Sequence, residues 1–170
     1  MSASKEKVDL KNVIQVCVVV KNIRKAVESY WNLFAIGPWK IYTFQPPDLT
    51  NATLHGKLEK YSMKIAITMI GNMMWELIEP LEGPSIYKEF LEERGEGIHH
   101  VHFAVDNYDQ TVAALKKQGI NILMDGSWKG ITYAYLDTER ELGAIFEISK
   151  PLDAQLPPPE AVYPPSNSGG

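Results

Sequence analysis

The sequence is short of the features that mark secreted, membrane and nucleic-acid-binding proteins. Its single cysteine, Cys17, excludes a disulfide within the chain, which fits a reducing compartment. The apolar run 16–20 is far too short to cross a bilayer, and the charged residues 1–11 lack the apolar region of a signal peptide. The net charge of −4 and the lack of a dense Lys/Arg stripe argue against nucleic acid. We therefore expect a cytoplasmic protein without membrane or nucleic-acid partners.

What the sequence does contain is an internal repeat. Its hydrophobic fraction of 45% and charged fraction of 22%, over 170 residues, fit one globular domain or two small modules sharing a core. Residues 15–22 (QVCVVVKN) resemble residues 100–107 (HVHFAVDN), and residues 76–81 (ELIEPL) resemble residues 147–152 (EISKPL). Because a repeat constrains the architecture before any local prediction, we expect two similar modules.

Hydrophobic periodicity predicts the same order of elements, β-α-β-β-β, in both halves. The apolar, β-branched run 13–20 predicts a buried strand, Asn22 is expected to cap the helix that follows, and Gly71-Asn72 is expected to join a hairpin. Residues 45–51 are interpreted as a Pro-containing loop. The predicted strands are 13–20, 39–44, 61–70 and 73–78 in the first half, and 98–105, 120–124, 131–136 and 144–148 in the second.

These elements give a fold prediction and a set of boundaries. We expect an α+β fold in which paired βαβββ modules form a metal-holding, partly closed, barrel-like sheet. A polar leader (1–11) precedes the first module (12–82), a connecting helix (83–97) leads to the second module (98–152), and a Pro-rich tail (153–170) follows. The tail has no core of its own, so it is either disordered or draped over the modules.

Four polar residues stand at repeated positions. Gln15 and His100 begin equivalent strands, and Glu76 and Glu147 lie near the ends of equivalent modules. A single glutamate between apolar strand residues usually faces solvent, but two at equivalent positions favour a shared cavity. Two carboxylates, one amide and one imidazole suit a divalent ion such as Zn, Co, Mn or Ni, with room for a substrate oxygen. The set does not suit the Cys-rich pattern of structural zinc.

A family resemblance supports this prediction. Residues 90–106 (FLEERGEGIHHVHFAVD) resemble methylmalonyl-CoA epimerases, which belong to the vicinal oxygen chelate (glyoxalase/bleomycin resistance/dioxygenase) superfamily, and the wider resemblance covers about residues 13–152. It implies metal ligation by His100, Glu147 and the position held here by Gln15, with Glu76 as the fourth ligand. Epimerases usually have His where Gln15 stands, and some have Gln where Glu76 stands. The set Gln, Glu, His, Glu is the pattern of some glyoxalase I enzymes.

The chemistry implied by the resemblance is proton abstraction beside a carbonyl. A divalent ion would stabilise the enolate, with Glu147 as the base. Racemisation also needs a second proton carrier, for which we consider Lys64 and His102. Lys64 stands where the epimerases place a second glutamate, although most lysines are simply exposed. His102 lies on the ligand face, where a hydrogen-bonded histidine of the barrel is an equal alternative. His99, on the opposite face, and His55, in a polar loop, receive no role.

The leading hypothesis is a metal-dependent racemase or epimerase acting on a small carbonyl substrate. The substrate is either an acyl-CoA of the methylmalonyl type or a flat aromatic ketone such as an isoflavanone. The alternatives are a glyoxalase I-type lyase and a non-catalytic ligand-binding module; Gln15 disfavours an extradiol dioxygenase, whose iron uses two His and a carboxylate. The resemblance also implies a homodimer. Seven aromatic residues leave room for an aromatic ketone, although core packing explains most of them: Trp39, Tyr42, Phe44, Tyr61, Trp128, Tyr133 and Tyr135.

Overall fold

The computed structural model describes residues 7–150 and 156–165, and the statements below refer to these residues. None of the described helices is long and apolar enough to span a membrane. In chain order the elements are β1 (Val13–Val19), α1 (Ile23–Phe34), β2 (Trp39–Phe44), β3 (Leu49–Leu54), β4 (Lys57–Leu58), β5 (Met63–Ile70), β6 (Met73–Pro80), α2 (Ile86–Arg94), β7 (Gly97–Ala104), α3 (Tyr108–Lys117), β8 (Ile122–Trp128), β9 (Ile131–Leu136), α4 (Glu139–Leu142), β10 (Ile145–Ser149) and β11 (Ala161–Tyr163).

All strands belong to one curved, unclosed sheet with the order β11-β2-β5-β6-β1-β7-β10-β9-β8-β3-β4. The antiparallel pair β1–β7 lies at its centre and joins the two halves. On one side of this pair the order is β1-β6-β5-β2, and on the other side it is the equivalent β7-β10-β9-β8. The predicted α+β class is confirmed, and the sheet order repeats as the sequence repeat requires.

The strand register reproduces the repeat residue by residue. In the first half, β6 runs parallel to β1 and places Glu76 opposite Cys17. In the second half, β10 runs parallel to β7 and places Glu147 opposite His102. Cys17 and His102 each follow the first residue of the repeated motif by two positions, so Cys17 is the structural equivalent of His102.

The two faces of the sheet differ in what covers them. Helix α1 begins at Ile23, where the side chain of Asn22 accepts a hydrogen bond from the backbone N–H of Lys25, as predicted. Its buried Ile23 and Val27 pack on one face of the sheet, against residues that include Ala66 and Leu77. The alternate strand residues point to the opposite, concave face and form the main core cluster, among them Cys17, Ile65, Ile67 and Ile78.

The loop prediction for residues 45–51 was wrong in part. Strand β3 starts at Leu49 and pairs with β8, so the sheet extends beyond the second module. The register shifts between Thr50 and Thr53, and Asn51 has a φ of 50°. This irregularity breaks the alternation of buried and exposed residues from which strands are predicted. The one-turn helix α4 was also not predicted.

The described part of the tail lies along one edge of the sheet. Residues 156–165, here called the strap, include β11, which pairs antiparallel with β2. The Glu160 carboxylate accepts hydrogen bonds of 2.8 Å from both the backbone N–H and the hydroxyl of Thr43. Leu156 packs against the main core cluster. Of the two alternatives for the tail, draping describes this segment. Residues 1–6 of the predicted leader, 151–152 of the predicted second module, and 153–155 and 166–170 of the predicted tail lie outside the described residues.

Candidate metal site

The four predicted ligands lie on the four central strands of the sheet. Gln15 is on β1, Glu76 on β6, His100 on β7 and Glu147 on β10, and their exposed fractions are 4%, 8%, 0% and 5%. The amide Nε2 of Gln15 donates to Glu76 Oε2 at 2.5 Å. His100 Nε2 lies 2.9 Å from Glu147 Oε2 and 3.7 Å from Glu76 Oε2. The structure therefore brings all four side chains into one buried cluster.

Two atoms of this cluster face each other without a hydrogen bond. Among the described residues, His100 Nε2 and Glu147 Oε2 have no hydrogen-bond partner although they lie 2.9 Å apart. They do not form an ion pair at neutral pH, because burial lowers the pKa of His100 to about 3. Buried polar atoms are almost always satisfied, so two converging lone-pair donors without a proton between them fit a shared cation.

The electrostatics of the carboxylates point the same way. Burial, and then the charge of Glu147, raise the pKa of Glu76 well above its ordinary value. Burial also raises the pKa of Glu147, partly offset by His102 and by a hydrogen bond from Tyr135. No lysine or arginine lies among the described residues that line the adjacent cavity. Since each buried charge costs several kcal/mol unless it is compensated, this donor set fits a divalent ion better than two free carboxylates.

Cys17 joins this cluster and was not predicted as a ligand. Its Sγ and one ligand atom each of Glu76 and His100 all lie within 4.8 Å of one another. The signal was present in the sequence, because Cys17 follows Gln15 by two positions and shares its face of β1. Burial raises the pKa of the Cys17 thiol well above its ordinary value, and the negative charges of Glu76 and Glu147 raise it further. Without an ion the group is therefore a neutral thiol at pH 7.

His102 connects the ligand cluster to the end of β10. Ser149 Oγ lies 2.8 Å from both His102 Nε2 and the carbonyl oxygen of Lys150. His102 Nδ1 lies 3.2 Å from Gln15 Oε1 and 3.4 Å from Glu147 Oε2. Because an amide oxygen only accepts, the hydrogen bond to Gln15 requires the ring proton on Nδ1. Burial lowers the pKa of His102, and the charge of Glu147 opposes that shift.

The concave face of the sheet encloses a cavity of about 50 Å³ next to these residues, here called the cup. One side of the cup is polar, and the other is an apolar wall that includes strand β5 and Leu156 of the strap. The polar side is formed by Gln15, Glu76, His102, Tyr133, Tyr135 and Glu147, and the apolar side by Phe44, Met63, Ile65, Ile67, Met74, Ile78, Ile131 and Leu156.

Lys64 does not reach the cup. Its neighbours on β5, Met63 and Ile65, line the cavity, and strand alternation therefore turns Lys64 to the opposite face, together with Ala66, which packs under α1. The expectation that Lys64 could act as a proton carrier is thus not supported by its position. His102 does line the cup, so it is the remaining one of the two proposed carriers.

Tyrosine hydroxyls lie next to Glu147, the candidate base. Tyr87 OH donates to Tyr135 OH at 2.7 Å, and Tyr135 in turn hydrogen-bonds to Glu147. The hydroxyls of Tyr61 and Tyr133 lie 2.9 Å apart. Of the seven aromatic residues considered from the sequence, three line the cup: Phe44, Tyr133 and Tyr135. Trp39 packs on the α1 side of the sheet, as a core residue would.

Residues 14–135 match the sequence profile of the Glyoxalase/Bleomycin resistance protein/Dioxygenase superfamily, which is more than half of the chain. The chain belongs to this superfamily. Its relatives include the uncharacterized protein YqjC of Bacillus subtilis (strain 168), 29% identical over 109 residues, which is 61% of this chain and 77% of YqjC. Mitochondrial methylmalonyl-CoA epimerase of Mus musculus is 35% identical over 69 residues, but this match spans only 40% of this chain and 39% of the epimerase.

Solved structures confirm the superfamily fold. A hypothetical protein from Bacillus halodurans C-125 superposes with a TM-score of 0.65 at 21% identity, covering 86% of this chain and 98% of that chain. A methylmalonyl-CoA epimerase in complex with methylmalonyl-CoA and NH4+ gives a TM-score of 0.57 at 18% identity, covering 88% of this chain and all of that chain. At such identities the likeness establishes the superfamily fold alone.

Proposed function

We propose that this superfamily member is a metal-dependent racemase or epimerase that removes and returns a proton at a carbon α to a carbonyl. The observation that carries the proposal is the unbonded approach of His100 Nε2 to Glu147 Oε2, inside a buried set of two carboxylates, an amide and an imidazole. Glu76, His100 and Glu147 would hold the ion, with Gln15 as the fourth ligand. Cys17 is within reach of the same ion.

The protein's own residues supply the proton transfer. A bound divalent ion would act as a Lewis acid toward the substrate carbonyl. Glu147 lines the cup and is the proposed base. The hydrogen bond from Tyr135 orients this carboxyl group. His102 Nδ1 lies 3.4 Å from Glu147 Oε2, so this ring would be the second group that carries a proton.

The lining and the volume of the cup limit which substrates can bind. Its apolar wall fits an acyl chain or an aromatic ring, whereas no described lysine or arginine lines it to bind phosphate groups. A volume of about 50 Å³ is far below the roughly 300 Å³ or more of ordinary ligand pockets. Leu156 of the strap occupies part of the wall, so the strap would contact a substrate bound in the cup.

The test combines metal analysis with isotope exchange. Purified protein should contain a stoichiometric divalent metal and should introduce deuterium from solvent at the α-carbon of methylmalonyl-CoA or of an isoflavanone. Glu147→Gln should abolish the exchange, while Glu92→Gln, the same change at an exposed glutamate of α2, should leave it intact. Full exchange by Glu147→Gln would exclude the proposed base. A metal-free protein that exchanges neither substrate would instead favour the ligand-binding module.

One observation favours a glyoxalase I-type lyase as the second candidate. All acid and base groups of the described cup lie on its polar side, while β5 opposite presents Met63, Ile65 and Ile67. A reaction that returns the proton on the face from which it was taken needs only one base, whereas racemisation needs proton delivery to both faces. A glutathione hemithioacetal assay separates these possibilities, as does deuterium exchange with retention of configuration.

A further inference from the structure

The histidine that precedes the central candidate ligand is linked to it by a hydrogen bond. His99 and His100 are consecutive on β7, and their Nδ1 atoms lie 2.9 Å apart. His99 is only 3% exposed, and the rings of Phe90 and Tyr87 pack against it with centroid distances of 5.0 and 5.4 Å. His99 is therefore a fixed partner of the His100 ring.

The hydrogen bond determines which nitrogen of His100 carries a proton. A neutral imidazole has one protonated and one unprotonated nitrogen. If His100 offers the lone pair of Nε2 toward Glu76 and Glu147, its proton must be on Nδ1, where the partner within hydrogen-bond distance is His99 Nδ1. His99 must then accept through Nδ1 and carry its own proton on Nε2. The opposite arrangement would place the proton on His100 Nε2, and that nitrogen would then have no lone pair to offer a cation.

We propose that His99 is a positioning residue whose Nδ1 holds the His100 ring in the one tautomer and orientation that can ligate a cation. This inference rests on the proposed metal site. Groups that accept a hydrogen bond from the remote nitrogen of a ligating histidine fix its tautomer and raise its basicity, and their loss typically weakens metal affinity about 10- to 100-fold. In this chain that acceptor is supplied by the neighbouring residue on the same strand.

Co²⁺ is the probe for the test, because its visible absorption reports the ligand field and its titration gives the dissociation constant. His99→Leu removes the acceptor and should raise the Co²⁺ dissociation constant by about 10- to 100-fold with an altered spectrum. His99→Asn places an amide oxygen close to the position of Nδ1 and should restore both the affinity and the spectrum. Phe90→Leu loosens the packing around His99 but keeps the acceptor, so it should bind Co²⁺ like the wild type. Circular dichroism and thermal melts of the metal-free proteins establish that each variant is folded.

The outcomes separate this inference from the proposed function. If the wild type binds no Co²⁺, both the metal site and the role of His99 are overturned. If the wild type binds Co²⁺ and His99→Leu binds it equally well, only the role of His99 is overturned. Equal weakening in the Leu, Asn and Phe90 variants would also overturn it, because loosened packing would then account for the loss.

Discussion

Protonation of His100 measures how far the ligand cluster is shielded from water. Burial lowers the folded-state pKa of this ring from 6.5 to about 3. The folded protein therefore resists protonation more than the unfolded chain does. The stability that results is fully present above pH 6.5 and is lost as the pH falls from 6.5 toward 3. At about 1.4 kcal/mol for each pH unit, the full effect is about 5 kcal/mol.

The perturbation is His100→Gln, which keeps a polar side chain but cannot titrate. Urea unfolding of wild type and variant, both freed of metal with EDTA, gives the free energy of unfolding at intervals from pH 7 to pH 4. The wild type should lose about 3 kcal/mol more than His100→Gln over the interval from pH 6.5 to pH 4. Glu76 and Glu147 titrate in both proteins, so the difference isolates His100 together with its contact to Glu147.

Two results would refute this reasoning. Parallel loss of stability in wild type and His100→Gln would show that water or a partner stabilises the protonated ring. A wild type that becomes more stable on acidification, while the variant does not, would show that His100 and Glu147 form a genuine ion pair. The exposed His55, replaced by Gln, controls for the removal of one histidine.

Three further predictions concern the metal, the tyrosines and the strap. Saturating divalent metal should stabilise the protein by about 4 kcal/mol at 1,000 times its dissociation constant, seen as a rise in Tm that EDTA reverses and that Glu76→Gln diminishes. Gly126→Ala should destabilise by about 1–3 kcal/mol in urea unfolding, because a Cβ there would lie 2.8 Å from the Tyr133 hydroxyl; an unchanged midpoint would contradict this packing. Glu160→Gln should accelerate amide hydrogen exchange of β11 by weakening its two bonds to Thr43, while β5 should be unaffected; equal exchange would show that strand pairing alone holds the strap.

Much of the site could be predicted because the repeat and strand alternation act together. Gln15 was matched with His100, and Glu76 with Glu147, by equivalence in the repeat alone. The parallel registers then place Gln15 and Glu76 on adjacent strands, and His100 and Glu147 likewise. Cys17 was not predicted as a ligand, although it shares the strand face of Gln15. Its partners Glu76 and His100 are distant in sequence and become neighbours only through the sheet order.

The remaining errors have local physical causes. Lys64 was assigned by comparison with the epimerases, whereas the alternation of Met63, Ile65 and Ile67 identifies the cup-facing side of β5. Strand β3 escaped prediction because its register shift near Asn51 removes the two-residue period. The homodimer and the cytoplasmic location stay predictions; light scattering would measure the former.

The strap also affects association between molecules, because it covers one edge of the sheet. Without β11, strand β2 would be the outer strand of the sheet, with unpaired backbone groups that can recruit a strand from another chain. With β11 in place, the two described edges of the sheet end in strands of only three and two residues, β11 and β4. Any substrate or truncation that displaces the strap therefore uncovers a six-residue edge as well as the cup, and so couples opening of the pocket to a tendency to aggregate.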